Sequence, residues 1–84
     1  MSLNARQVDT IKPKEKIFKL TDGGGLYLQV NPNGSKYWRM KYRYAGKEKK
    51  LSFGIYPDIS LAEARTKRDE ARKILANDKD PGEV

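Results

Sequence analysis

The chain has 84 residues and a net charge of +7, and it contains no cysteine and no histidine. The absence of these residues excludes disulfides and the usual zinc sites, and it removes the commonest acid–base catalyst. No apolar run approaches the roughly 20 residues that span a bilayer, and the first residues lack the apolar stretch of a signal peptide. We therefore expect one cytoplasmic domain that is not an enzyme, with no cofactor or metal ion, no membrane partner and no small-molecule substrate.

The first predicted element is a short helix over residues 5–11. Asn4 and Gln7 have the spacing of a capping box, in which each side chain hydrogen-bonds the backbone of the other residue. Residues 17–20 form a short strand candidate. We predict that residues 22–25, with three consecutive glycines, form a tight turn and end this strand, because glycine adopts positive φ angles without steric cost.

Three further segments alternate polar and apolar residues, which is typical of strands with one buried face. They cover residues 26–30, 36–44 and 49–53. Asn33-Gly34 is a strong hairpin signal between the first two segments, and Ala45-Gly46 turns the second into the third. Residues 54–59 are predicted to form a loop. The pattern predicts an antiparallel meander.

A second helix is predicted over residues 61–76, where Ser60 and Glu63 form another capping box. One face of this helix is apolar and should pack on the sheet. Its members are Leu61, Ala64, Ala71 and Leu75. Arg68 lies in the middle of the apolar face, and we expect its stem to pack while its guanidinium reaches outward.

Together these elements predict the α+β fold class. The antiparallel sheet has three strands, or four if residues 17–20 join it, and packs on the C-terminal helix, with a short N-terminal helix beside it. Residues 1–78 form the predicted domain. Residues 79–84 are polar and contain a Pro-Gly pair, so we expect them to begin a linker.

Nearly all of the excess positive charge lies within residues 35–54. This segment holds seven Lys and Arg residues and one acid, Glu48, whereas the rest of the chain holds 11 bases and 10 acids. An ordinary solvated sheet face mixes both signs, because like charges placed side by side on a sheet repel. The clustering therefore predicts a polyanionic partner.

Alternation assigns Trp38, Met40, Tyr42 and Tyr44 to the core, and it places the charged residues on the opposite, exposed face. The candidate DNA-binding residues on that face are Tyr27, Gln29, Tyr37, Arg39, Lys41, Arg43, Lys50 and Ser52. The major groove of B-DNA admits a β-ribbon. We therefore predict that duplex DNA binds this face, with arginine and glutamine contacting base edges and lysines contacting phosphates.

Two other functions fit the same composition. A module for structured RNA would read helix shape and 2′-hydroxyl groups, since A-form RNA hides its major groove. A protein–protein module would dock on an acidic partner or another subunit, and Tyr27 and Tyr37 on the exposed face would contribute to such an interface.

Five segments resemble, in order along the chain, segments of one known family. They are Lys12-Pro13, KLTDGGGLYL at residues 19–28, GSKYW at 34–38, LSFGIYP at 51–57 and SLAEAR at 60–65. All are similar to the N-terminal arm-type DNA-binding domain of prophage and genomic-island integrases, in the tyrosine recombinase family.

The resemblance implies a sheet laid in the major groove of arm-type attachment sites, where it tethers the recombinase during site-specific recombination. Other integrase subunits are implied as further partners. The catalytic Arg, Lys, His and Tyr of that family belong to a later domain, and nothing in this chain matches them. Asp80-Pro81 resembles the exit into the linker that precedes that domain.

Overall fold

Four strands pair in chain order into one antiparallel sheet, covered on one side by a long helix. The computed structural model describes residues 2–83. Its elements are α1 (Ala5–Thr10), β1 (Phe18–Gly23), β2 (Leu26–Val30), β3 (Lys36–Tyr44), β4 (Lys47–Tyr56), α2 (Leu61–Ala76) and a 3₁₀ turn (Pro81–Glu83). This arrangement confirms the predicted α+β class, and β1 supplies the fourth strand.

Local sequence signals account for the turns and helix starts. Ala45 and Gly46 have φ angles of 52° and 77°, as the two central residues of a tight hairpin with a type I′ turn require. Both predicted capping boxes are present, with reciprocal hydrogen bonds at the start of α1 and of α2. Among residues 2–83, no helix is long and apolar enough to cross a membrane.

Two strands run further than the sequence predicts. β1 continues to Gly23, because a register irregularity at Asp22 lets Gly23 pair with Leu26. β4 continues to Tyr56, so the prediction of a loop is wrong for residues 54–56. A β-bulge opposite Trp38 absorbs one extra residue of β4 and lets the pairing resume beyond it.

The core lies between α2 and the inner face of the sheet, as predicted. Its buried apolar residues are Leu3, Val8, Leu26, Leu28, Val30, Trp38, Leu61 and Ala64, with a smaller cluster of Met40, Tyr42 and Ala71. Trp38 is fully buried, and its indole N–H donates to the carbonyl of Ile59 at 2.7 Å. The prediction that Trp38 belongs to the core is confirmed, and none of the helices within residues 2–83 covers the opposite face of the sheet.

Candidate nucleic-acid interface

Strand pairing arranges the side chains of the uncovered face, here called the outer face, into cross-strand rows. From the β2–β3 turn toward the β3–β4 hairpin, the rows are Lys19, Gln29, Tyr37 and Ile55; then Thr21, Tyr27, Arg39 and Ser52; then Lys41 and Lys50; then Arg43 and Glu48. All eight residues that the sequence singles out lie on this face. Their contact with DNA stays a prediction.

The eight candidates differ in how far they reach solvent. Lys41, Arg43, Lys50 and Ser52 are exposed, whereas Gln29, Tyr37 and Arg39 are half-buried. The expectation that Tyr27 is exposed is wrong, since only 4% of its surface is accessible. Tyr27 lies on an interior strand, opposite Arg39, and the Lys19 ammonium sits 5.0 Å from the centroid of its ring.

The charge of the outer face is strongly positive. Its cations are Lys19, Arg39, Lys41, Arg43 and Lys50. Glu48 is the single acid among the residues of these rows, and it lies 3.7 Å from the Lys41 ammonium in a pair whose side chains are 47% and 58% exposed. An exposed pair of this kind contributes only about 0–1 kcal/mol to stability. Because the rows hold five cations and one acid, the field over this face is positive.

Two polar atoms at the centre of the outer face have no hydrogen-bond partner in the part of the chain that the structure describes. They are the Tyr27 hydroxyl and the Arg39 Nε, and both are buried. Leaving such a group unpaired costs about 1–3 kcal/mol. The Arg39 guanidinium instead stacks 5.8 Å from the ring centroid of Tyr37. The Arg39 side chain is thus held on the outer face by stacking on Tyr37, without a hydrogen bond from its Nε to the described residues.

Gln29 is already engaged within the free protein. Its Nε2 donates to Asn31 Oδ1 at 3.0 Å, and the Asn31 amide donates to Ser35 Oγ at 3.1 Å. The amide of Gln29 is thus held at the β2–β3 turn, where its orientation is fixed before any ligand arrives.

Three outer-face residues escaped the sequence analysis. Lys19 and Thr21 belong to β1, and Ile55 belongs to the end of β4. Alternation along residues 19–21 was a sufficient signal for the first two, because it places residues 19 and 21 on one face of β1. Their β2 partners, Gln29 and Tyr27, lie on the same face. For Ile55 the sequence gives no such signal, because the face on which it lies depends on a β-bulge that no local pattern predicts.

On the inner side, the first arginines of α2 reach toward the β1–β2 turn. Asp22, which is 5% exposed, accepts hydrogen bonds from Leu3 N–H at 2.7 Å, from Arg65 Nε and Nη2 at 3.0 and 2.8 Å, and from Arg68 Nη1 at 3.1 Å. The hydrogen bonds from Arg65 are the main reason that the pKa of Asp22 is lowered. The expectation that Arg68 reaches outward is therefore wrong.

A second buried carboxylate holds the end of the chain against the sheet. Asp80 is 4% exposed. It accepts from the Tyr42 hydroxyl at 2.6 Å and from Gly82 N–H at 2.9 Å, and it pairs with Lys49. The hydrogen bond from Lys49, followed by that from Tyr42, lowers the pKa of Asp80 to about 2. The linker predicted from residue 79 stays a prediction, and its first residues pack on β3 and β4.

These contacts leave α2 with few bases free to meet a ligand. Arg65 and Arg68 are bound to Asp22, and Arg72 Nη1 lies 3.4 Å from the carbonyl of Gly24. Lys67 and Lys73 are exposed, but the helix also carries the acids Glu63, Asp69 and Glu70. Of these two surfaces, α2 and the outer face of the sheet, the outer face therefore offers the more strongly positive one.

Comparisons with known proteins show which family the chain resembles. A family model described as the arm DNA-binding domain matches residues 3–84. The integrase of Enterobacteria phage P4 is 60% identical over 83 residues, which cover 96% of this chain and 19% of that protein. The protein IntB of Escherichia coli K12 is 64% identical over 58 residues, covering 69% and 15%. The integrase of Shigella phage Sf6 is 47% identical over 79 residues, covering 94% and 20%. The chain spans about a fifth of the length of these relatives, or less.

Proposed function

Because this chain belongs to the arm DNA-binding domain family, we propose that it binds duplex DNA through its outer face and tethers an integrase to arm-type sites. The observation that carries the proposal is the charge of that face. Five cations stand on it against one acid, Glu48, and both helices of residues 2–83 pack on the other side of the sheet. A surface of this kind attracts a polyanion and gives it a flat platform on which to settle.

We assign the β3–β4 hairpin to the major groove. A two-stranded ribbon enters that groove and presents its side chains to base edges and phosphates together. The exposed cations Lys41, Arg43 and Lys50 lie on this hairpin. We assign phosphate contacts to the lysines and a bidentate guanine contact to Arg43 or Arg39.

The remaining candidates complete the proposed interface around the hairpin. Gln29 is placed to contact adenine by its amide, while Tyr37 and Ser52 flank Arg39 along and across the strands. Tyr27 is too deeply buried to touch bases in the free conformation. Its role is to support Arg39, its direct cross-strand neighbour.

The domain supplies binding and not chemistry in this account. The relatives are several times longer than the chain, and we assign the recombination reaction to a further domain of a tyrosine recombinase. Tethering raises the effective concentration of that domain near the crossover site. Other integrase subunits on neighbouring sites are the second class of partner, and the compartment is the cytoplasm, where the DNA lies.

A salt titration on a duplex selected from a random library by this chain tests the proposal. If about 4 to 6 phosphates are contacted, the logarithm of the binding constant should fall against the logarithm of salt concentration with a slope of about −4 to −5. Dissociation constants near physiological salt should be about micromolar, because a single domain lacks the multivalency of an assembled integrase. A slope near zero contradicts the proposal.

Competition separates the rival functions. An equimolar RNA duplex should leave the DNA complex intact, since the deep and narrow major groove of A-form RNA excludes the hairpin. Equal competition by RNA would favour a structured-RNA module instead. Sedimentation without DNA distinguishes the third function, because a protein–protein module would self-associate or require another protein partner.

A further inference from the structure

The β4 bulge turns one apolar side chain toward the proposed DNA. Trp38 pairs with Gly54 and Arg39 with Ser52, so Phe53 is the extra residue between them. Strict alternation from Leu51 would place residues 53 and 55 together on the inner face. The bulge instead keeps Phe53 against the core and places Ile55 opposite Tyr37 on the outer face.

The position of Ile55 is fixed by its neighbours in the chain. Gly54 has a φ of 133°, and a Cβ at that position would lie 2.7 Å from Cγ1 of Ile59. Ile59 N–H donates to the carbonyl of Ile55 at 2.8 Å, and the carbonyl of Ile59 accepts from the buried indole of Trp38. A bulge that re-aims a side chain from a rigid base is typical of functional positions.

Ile55 is 38% exposed on a face that otherwise carries cations, amides and hydroxyls. It shares its row with Gln29 and the half-buried Tyr37. The one cation of this row, Lys19, stands on β1 at the opposite edge of the sheet, and the outer-face cations of β3 and β4 lie beyond this row toward the β3–β4 hairpin. We therefore expect the Ile55 end of β3 and β4 to contact base edges and the hairpin end to contact phosphates.

The apolar group that the major groove offers is the 5-methyl of thymine. We propose that Ile55 reads thymine by packing against this methyl group, an inference that rests on the proposed DNA-binding function. A single exposed isoleucine is too small to hold a protein partner, since specific protein interfaces bury about 1,200–2,000 Å² in total. Against a base edge, one methyl contact is enough to discriminate.

Uracil substitution isolates this contact, because uracil keeps the pairing and phosphates of thymine and lacks only the methyl. In the duplex selected by the chain, each thymine is replaced singly by uracil, and binding is followed by fluorescence anisotropy. The wild-type chain should lose about three- to fivefold in affinity at one thymine of the bound site, as expected for one methyl-sized contact. The Ile55→Ala variant should bind the unmodified duplex more weakly by a similar factor and should no longer sense that uracil.

The chain offers a matched control in Ile17, which is 57% exposed and precedes β1 outside the rows of the outer face. Ile17→Ala should keep the affinity and the uracil sensitivity of the wild type, and circular dichroism should show both variants folded. Equal uracil sensitivity in Ile55→Ala and wild type overturns the inference, as does a wild type that ignores every uracil.

Two further results would show whether the DNA-binding proposal is wrong or only the thymine contact of Ile55. If the wild type binds no duplex at all, the proposed function falls and this inference falls with it. If Ile55→Ala binds DNA as the wild type does but weakens self-association in sedimentation, DNA remains the partner of the outer face. In that case Ile55 serves contact between copies, and the thymine assignment is overturned.

Discussion

The two faces of the sheet differ in whether their polar groups have hydrogen-bond partners within the protein. On the inner side, the indole N–H of Trp38 and the carboxylates of Asp22 and Asp80 all have hydrogen-bond partners. On the outer side, the hydroxyl of Tyr27 and the Nε of Arg39 are buried without a partner among residues 2–83, and the cations Lys41, Arg43 and Lys50 are exposed. The polar groups of the inner side are paired within the chain, whereas the charged groups of the outer face are open to solvent.

This difference separates stability from binding. Buried polar groups with partners fix one arrangement of the helix on the sheet. Clustered cations on the outer face repel one another and so oppose folding slightly. Substitutions on the inner face should therefore change the free energy of unfolding, and substitutions on the outer face should change affinity for DNA.

The largest effect expected from any single substitution is at Trp38. Trp38→Ala removes a fully buried side chain from between α2 and the sheet, and it should lower the free energy of unfolding by about 3–5 kcal/mol. Urea denaturation followed by circular dichroism measures the loss. Domains of this size have little stability to spare, so the variant should be largely unfolded. A variant that melts like the wild type would show that the inner face is not the core.

A smaller loss is expected at Asp22. Asp22→Ala removes the acceptor of Leu3 N–H and of two guanidinium groups. Because the side chains of Arg65 and Arg68 remain 35% and 19% exposed, water partly replaces the carboxylate, and the loss should be about 1–3 kcal/mol. Chemical denaturation measures it. Arg65→Lys should cost less, since it keeps a charge but loses the bidentate fork. An unchanged midpoint in Asp22→Ala contradicts the account.

Asp80 should make the stability of the fold depend on pH in the acid range. Its pKa is lowered from 3.8 to about 2, and a carboxyl of this kind stabilises the fold above its unfolded pKa and loses that contribution as the pH falls through the folded value. Thermal stability should therefore decline between pH of about 4 and about 2. Asp80→Asn should reduce the decline, and the remainder belongs partly to Asp22, whose pKa is also lowered. An identical decline in Asp80→Asn and wild type would contradict this assignment.

Local patterns were sufficient to predict much of the fold and the sidedness of β3. Capping boxes, hairpin signals and strict alternation depend on neighbouring residues, so they placed Trp38 inside and Arg39 outside correctly. The partners of Asp22 and Asp80 were not visible in the sequence, because Arg65 lies 43 residues from Asp22 and Tyr42 lies 38 residues from Asp80. Contacts this distant depend on how the elements pack, which no local pattern encodes.

The candidate site was predicted less completely for a related reason. Alternation assigns a face but not an exposure, so it grouped Tyr27 with the accessible side chains although Lys19 and Arg39 flank it. It also fails wherever a strand contains an extra residue. The bulge at Phe53 reverses the face of the residues of β4 that follow it, and Ile55, which was predicted to lie in a loop, instead pairs with Tyr37 on the outer face.

The most direct test of the account compares two pairs of exposed bases with the same charge. Lys41→Gln with Arg43→Gln removes two cations from the outer face, and Lys67→Gln with Lys73→Gln removes two from α2. On the selected duplex, measured at one fixed salt concentration, each outer-face substitution should weaken binding by about 1–3 kcal/mol. The helix pair should bind nearly as the wild type does, because α2 lies on the far side of the sheet. If the helix pair loses more affinity than the outer-face pair, with both proteins folded by circular dichroism, the sheet is not the DNA-binding surface.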